Sequence, residues 1–277
     1  MRSITSTSAV PIEKHEGAVQ LWRASVPESG LTEDLWLRPD GSLLVRFDGE
    51  PMLVLDATRT TVWIGDILPS VAVQLVATFA IAPAAQAWGA LVLHGSALVR
   101  QGQAILICGE SGVGKSSALV ALTDEGWSPL TEDLCALDLS TDPPTAWPGP
   151  PWVRLDPSNP PSEGWRELFR THDKVAWDLG PNRVSVPTPL AHIVILERPE
   201  AEADVPTLSG PVGAIDLILL LHDHAPWFDQ PQNKAASLFG PIAALATTVP
   251  ATRLRLQRSP NWRAEATALI DAMTTPS

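Results

Sequence analysis

A glycine-rich stretch offers the clearest chemistry in this chain. Residues 109–116, GESGVGKS, have the spacing Gly-x-x-x-x-Gly-Lys-Ser. Glycines allow backbone N–H groups to turn inward around an anion, and a helix that begins where the loop ends adds its N-terminal dipole. The apolar run AILIC precedes the stretch and a helical pattern follows it. This order of strand, loop and helix predicts a nucleotide-binding site for ATP.

Within this loop the residue types suggest separate roles. Lys115 supplies an ammonium group for the β- and γ-phosphates, and the Ser116 hydroxyl can bind Mg²⁺. The other predicted nucleotide-binding positions are Gly109, Glu110, Ser111, Gly112, Val113, Gly114 and Ser117.

Two adjacent carboxylates follow the loop at a distance that suits metal binding and proton transfer. Glu132 and Asp133 lie 16 and 17 residues beyond Ser116, at the start of the predicted strand LCALDL. Adjacent strand residues point to opposite faces, so both reach the site only if the backbone turns between them. We expect one carboxylate to bind Mg²⁺ and the other to act as general base. The residues alone leave open which does which.

One histidine, His94, is a further candidate for the site. His94 precedes Gly95 and Ser96 on a strand expected to pair with the one that feeds the glycine-rich loop, which would place it near the γ-phosphate. A core histidine with satisfied hydrogen bonds is the alternative. His222 and His224, in LHDHA, have no third partner at ligand spacing, and we expect a solvated helix end there.

Composition narrows the function classes. The 277 residues are 45% hydrophobic and 18% charged, with a net charge of -12. A chain this acidic, with no basic stripe, is not expected to bind nucleic acid. Its electrostatic field suits a cationic peptide or a small polar substrate.

Cys108 and Cys135 lie in apolar runs, which favours buried, reduced thiols and a cytoplasmic location. The uncharged stretch 67–93 favours a buried helix and strand over a membrane span, so no membrane partner is expected.

Periodicity and turn signals predict an α/β fold around a mixed sheet. Residues 18–65 are β-rich, and the motif RQGQ predicts a hairpin before the glycine-rich loop. The segment 141–189 is dense in Pro and Trp, which favours an ordered, loop-built lid or substrate platform. We place a small β-rich N-terminal region with a helix at 1–88 and the catalytic domain at 89–277. Further helices are predicted near 70–88, 115–125, 213–222, 233–247 and 262–273, and further strands at 190–197 and 252–257.

The stretch LHGSALVRQGQAILICGESGVGKSSALVALTDEGWSPLTEDLCALD resembles the catalytic domain of HPr kinase/phosphorylase, a bacterial protein-serine kinase that uses a phosphate loop. The shared order is His-Gly, hairpin, phosphate loop, helix, acidic pair and strand, over about residues 90–200. The resemblance implies a P-loop kinase fold of that type, with ATP and Mg²⁺ as cofactors. It implies that His94 neighbours the acceptor serine and that Lys115 and Ser116 hold phosphate and metal. It also implies that one of Glu132 and Asp133 accepts the proton; Asp133 is favoured, because the family has two aspartates here, which leaves Glu132 as a candidate metal ligand beside Ser116.

The segment after the acidic strand departs from that family. WPGPPWVRLDP stands in place of an Arg-Gly-x-Gly pattern, so the resemblance does not extend to the reverse, phosphorolytic reaction. It is similar instead to short HPr-kinase-like proteins of peptide biosynthesis, including lasso peptide kinases, which share PG-x-P-x-x-(K/R)-L, a lone lysine and P-x-P-L-x-x-I. Those patterns match here at Pro148-Gly149, Arg154-Leu155, Lys174 and 187–190. Arg154 and Lys174 then become candidates for stabilising charge on the transferred phosphoryl group.

Three functions fit these residues. The first is an ATP-dependent kinase that phosphorylates a Ser or Thr hydroxyl of a peptide or protein, including a ribosomally made precursor peptide. The second is a small-molecule kinase on the same scaffold, and the third a nucleotide-binding regulatory module. The presence of Lys115, Asp133 and His94 favours a kinase, since a switch needs no acceptor-side base. The resemblance also allows a homo-oligomer.

Overall fold

A computed structural model describes residues 5–7, 19–25, 32–48, 50–65, 76–171, 174–197, 207–229, 231–255, 264 and 266–270. The chain divides into two compact units, one of residues 1–89 and 227–237, the other of residues 90–226 and 238–277. The boundary expected between the N-terminal region (1–88) and the catalytic domain (89–277) stays a prediction. Within the described residues, no helix has the length and apolar character needed to cross a bilayer.

The first unit is built on a six-stranded sheet. Its strands are β1 (Thr5–Thr7), β2 (Val19–Ser25), β3 (Thr32–Leu37), β4 (Leu43–Phe47), β5 (Glu50–Leu55) and β6 (Thr61–Ile64), in the order β1-β6-β5-β4-β3-β2. All pairings are antiparallel except that of β1 with β6. The prediction of a β-rich region over 18–65 is confirmed for the described part.

Helical backbone follows in the same unit. A π-helix (Ala77–Ile81) continues directly into α1 (Ala82–Ala87). The predicted helix over 70–88 is confirmed for 77–87, whereas residues 66–75 lie outside the described part. Pro83 does not break the helix, because it lies in the first turn of α1, where proline is tolerated.

The second unit carries a mixed eight-stranded sheet. Its strands are β7 (Leu91–Arg100), β8 (Gln103–Gly109), β9 (Ser128–Thr131), β10 (Leu134–Asp138), β11 (Thr145–Ala146), β15 (Thr188–Glu197), β16 (Thr207–Pro211) and β17 (Ala251–Arg255). Their order is β11-β10-β7-β8-β15-β17-β16, with β9 paired to β7. β8, β15 and β17 run parallel, and β7 and β8 form the predicted hairpin.

The helices that follow the glycine-rich loop along the chain lie at the predicted places. They are α2 (Lys115–Asp124), α3 (Ala214–Asp223) and α4 (Lys234–Thr248), and residues 264 and 266–270 are also helical. The core between sheet and helix includes Ile105 and Ile107 of β8, Leu119 and Leu122 of α2, and Trp127, each at most 2% exposed. An apolar strand packed against a helix fixes the direction in which the loop between them opens.

The proline-rich middle of the chain holds more regular structure than expected. The strands β12 (Trp152–Leu155), β13 (Glu167–Arg170) and β14 (Val175–Asp178) form a separate antiparallel sheet in the order β12-β14-β13. The prediction of a loop-built segment is therefore wrong for these residues. Each of the three strands has only four residues and contains no proline.

Candidate active site

The glycine-rich loop joins β8 to α2, in the order strand, loop, helix. Gly109 ends β8 with φ 148°, and a Cβ there would lie 2.5 Å from the Leu196 carbonyl oxygen of the neighbouring strand. Gly114, with φ 110°, precedes the first residue of α2. At Gly109, only glycine permits both the close approach to Leu196 and the positive φ; at Gly114, the positive φ alone favours glycine. The loop backbone is therefore held where the free N–H groups at the start of α2 can meet an anion.

Lys115 folds back over the loop that precedes it. Its Nζ donates hydrogen bonds to the carbonyl oxygens of Gly109 (2.8 Å) and Glu110 (3.0 Å). The side chain is 7% exposed, and this burial lowers the pKa of its ammonium group, against the pull of nearby Cys108, Asp133 and Glu132. The lysine thus lies at the loop, partly stripped of water.

Ser116 and Glu132 meet at the start of α2. The Ser116 hydroxyl donates a hydrogen bond of 2.7 Å to Glu132 Oε1. Glu132 is 5% exposed. Burial, and then the charge of Asp133, raise the pKa of this carboxyl to about 7. Among the described residues, no three His, Cys, Asp or Glu side chains are grouped to enclose a metal. A hydroxyl and one carboxylate beside a phosphate site nevertheless suit Mg²⁺, which takes few protein ligands and completes its shell with water and phosphate.

The acidic pair lies in a kink between two strands rather than at the start of one. β9 ends at Thr131 and β10 begins at Leu134, and Asp133 has φ 70°. Both strands pair with β7, so they behave as one strand interrupted by two residues. The kink lets the two neighbouring carboxylates point to the same region, which a regular strand forbids.

Asp133 is held from two sides. Arg154 Nη2 of β12 donates a hydrogen bond of 2.7 Å to Asp133 Oδ2, and His94 Nδ1 lies 3.4 Å from Oδ1. The Gly95 N–H also donates to the Asp133 carbonyl oxygen, at 3.0 Å. These contacts fix the carboxylate in one orientation beside the glycine-rich loop, which is what a general base requires.

Lys174 lies just before β14 and acts electrostatically on Glu132 and Lys115. The structure thus brings together six of the residues selected from the sequence: His94, Lys115, Ser116, Glu132, Asp133 and Arg154, with Lys174 close by. Four others of the predicted loop set are exposed, namely Glu110, Ser111, Gly112 and Ser117.

His224 is a site neighbour that the sequence reasoning missed. Its carbonyl oxygen accepts a hydrogen bond of 2.6 Å from the His94 N–H. Burial, and then the charge of Lys115, lower the pKa of its imidazole, and Glu110 acts on it in the opposite direction. The expected helix end is confirmed, because α3 ends at Asp223 and His224 caps it, but His224 is half-buried rather than solvated. Nothing in LHDHA signals this, because its partner lies 130 positions earlier in the chain.

Both cysteines are buried free thiols, as predicted. Burial raises the pKa of Cys108 to about 12 and raises that of Cys135 further. Neither thiol is therefore a nucleophile for the site.

Similarity to known proteins is found among solved structures. No protein-family model matches the chain, and no curated protein matches it. Among solved structures, the Hpr(Ser) kinase/phosphatase from Coxiella burnetii matches over 65% of this chain and 88% of its own, with 14% sequence identity and a TM-score of 0.40.

Proposed function

We propose that this chain is an ATP-dependent kinase that phosphorylates a Ser or Thr hydroxyl of a peptide or protein. The observation that carries the proposal is the position of Asp133, oriented by Arg154 and His94 beside the Lys115 loop. A pure nucleotide switch has no need of a carboxylate fixed in this way, whereas phosphoryl transfer to a hydroxyl does.

In the proposed step the acceptor hydroxyl oxygen attacks the γ-phosphorus. The bond between that phosphorus and the β,γ-bridging oxygen breaks, ADP leaves, and the hydroxyl proton passes to the Asp133 carboxylate. Lys115 and the loop N–H groups bind the phosphates, while Arg154 and Lys174 offset negative charge near the acceptor. Ser116 and Glu132 would hold Mg²⁺, which neutralises phosphate charge when bound.

The acceptor proposed is a peptide. The net charge of -12 favours a cationic chain over an anionic one, because the field of the whole molecule attracts positive charge. A ribosomally made precursor peptide is one such acceptor.

The first prediction concerns Lys115 and Asp133. We expect Lys115→Ala to abolish transfer and to weaken ATP binding strongly, because it removes the cation at the phosphates. Asp133→Asn should bind ATP within about 3-fold of the native chain but lose at least about 100-fold in transfer, the order that a general base contributes. Calorimetry with ATP and Mg²⁺ measures binding, and radiolabelled phosphate transfer to Ser-containing peptides measures turnover.

Asp138→Asn is the matched control, since this residue lies on β10 and its hydrogen bonds are to Ser140 and Thr141 of its own turn. It should leave both quantities unchanged. Near-native transfer by Asp133→Asn would refute the base assignment. Absence of heat with ATP would refute the whole proposal.

A further inference from the structure

The small sheet presents one face to the acidic pair. β12 pairs with β14 so that Arg154 lies opposite Ala176, and β14 pairs with β13 so that Ala176 lies opposite Phe169. Directly opposed residues of an antiparallel sheet point to the same side. Trp152 lies two residues before Arg154 and therefore shares this side as well. We call this side, carrying Trp152, Arg154, Phe169 and Ala176, the acceptor face.

The other face of the sheet is already occupied. Val153 and Leu155 of β12 are 0% and 5% exposed and belong to the core beneath α2, and Trp177 of β14 packs against the same core. The sheet is thus fixed through its inner face, and its acceptor face does not contribute to that core.

Two aromatic rings meet on the acceptor face. The ring centroids of Trp152 and Phe169 lie 5.7 Å apart at 71°, an edge-to-face contact. They come from the two outer strands, on the face that also carries Ala176 of the central strand, and Ala176 is buried, at 1% exposed. Both aromatic residues are only half-buried. Aromatic side chains that are partly exposed to solvent beside a few polar groups are typical of ligand-binding surfaces.

The aromatic pair is continuous with the candidate active site. Arg154, on the same face, hydrogen-bonds to Asp133, and Lys174, two residues before Ala176, acts on Glu132 and Lys115. Two residues along a strand span about 7 Å. A peptide whose hydroxyl lies at Asp133 would therefore bring a side chain one or two positions away within reach of the rings.

We propose that Trp152 and Phe169 form an apolar subsite for the acceptor peptide, which binds a side chain one or two residues from the phosphorylated hydroxyl. This inference rests on the proposed kinase function, and it specifies the acceptor as a peptide with a bulky apolar residue next to its Ser or Thr. Ring contacts would supply affinity for the acceptor, while the carboxylate and the loop carry out the transfer.

The test uses a set of fluorescein-labelled heptapeptides with a central Ser, Lys at both ends and Ala elsewhere. In four of them a Leu replaces Ala at position -2, -1, +1 or +2 from the Ser. Anisotropy measures binding to the full chain with a non-hydrolysable ATP analogue and Mg²⁺, and transfer from ATP is measured separately. We expect one Leu peptide to bind at least about 5-fold more tightly than the all-Ala peptide.

The variants Trp152→Ala and Phe169→Ala should each remove that preference and leave ATP affinity within about 2-fold of the native value. Trp147→Ala is the control, since Trp147 is 46% exposed and lies outside the small sheet. Thermal unfolding verifies that the variants fold, and the conservative Phe169→Leu should retain part of the preference.

Equal binding of Leu and all-Ala peptides by the native chain would overturn the subsite, as would a preference that survives both alanine variants. Loss of ATP binding or transfer bears on the kinase proposal instead, because the anisotropy measurement does not depend on transfer. A Leu preference without any transfer would show that the two rings bind an apolar side chain, but it would refute the kinase proposal and with it the role of the rings as an acceptor subsite.

Discussion

At the residue scale, Glu132 is the most unusual titratable group of the candidate site. It is buried, accepts a hydrogen bond from Ser116, and has its pKa raised to about 7 by burial and by Asp133. A carboxyl with a raised pKa binds its proton more tightly in the folded chain than in the unfolded chain. The contribution of Glu132 to the stability of the unliganded protein is therefore present below about pH 4.5 and is lost as the pH rises to about 7, where the buried charge forms.

The variant Glu132→Gln tests this effect, because glutamine imitates the protonated carboxyl and its amide oxygen can still accept from Ser116. Without nucleotide or divalent cations, we expect little difference from the native chain at pH 4.5, and a free energy of unfolding about 1–3 kcal/mol higher at pH 8. Urea denaturation at both pH values measures it. A variant that is less stable at pH 8 would show that the charged form is favoured by its surroundings.

At the residue scale, sequence reasoning selected Lys115, Ser116 and the acidic pair by type and spacing, because phosphate binding and proton transfer demand those groups. The structure brings these residues together, and their roles stay predictions. Their partner Arg154 entered only through the family resemblance, and His224 was missed. Both are brought to the site by long-range folding, which leaves no local pattern to find.

At the element scale, the kink between β9 and β10 depends on a neighbouring glycine. A Cβ at Gly149 would lie 1.8 Å from Thr131 Oγ1, and the Gly149 N–H donates to the Leu130 carbonyl oxygen. Thr131 in turn immediately precedes Glu132. This close packing of backbone against side chain holds the end of β9.

We predict that Gly149→Ala lowers the free energy of unfolding by about 1–3 kcal/mol, the usual cost of overpacking, and reduces transfer further by moving the acidic pair. Gly213→Ala is the control for added volume, since Gly213 has an ordinary φ of -64° and a methyl group there would meet no atom within 4 Å; only the loss of glycine at the N-cap of α3, about 1 kcal/mol or less, is expected. Denaturant unfolding and transfer rates measure the two effects. Equal stability of the two variants would mean that the Thr131 contact relaxes freely.

Elements were predicted unevenly, for physical reasons. The hairpin and the helices α2, α3 and α4 follow from apolar runs and the turn residues that bound them, and the structure has them within about two residues of the expected bounds. The strands β9, β12, β13 and β14 were not predicted. Each of these strands has four residues and lies in a region rich in turn-forming residues. Four residues are too few for an alternating apolar pattern to indicate a strand in such a region.

At the scale of the whole molecule, net charge should govern how fast an acceptor arrives. A chain of charge -12 attracts cationic peptides over distances that salt screens. At saturating ATP, kcat/KM for a Lys-flanked peptide should fall about 3- to 10-fold between about 50 and about 300 mM NaCl, through a slower association. The same peptide flanked by Gln should show little change. Identical salt dependence for both peptides would indicate that the acidic field lies away from the site.

The donor half and the acceptor half of the candidate site lie in separate stretches of chain. The proposed phosphate-binding groups belong to residues 109–133, whereas Arg154 and the aromatic pair belong to the small sheet of residues 152–178. The ion pair of Arg154 with Asp133 links the two stretches. Under the functions proposed, exchanging the second stretch would retarget the enzyme and leave its nucleotide site intact. New acceptors could then evolve by changes in a few short strands, provided that an arginine is kept at the junction.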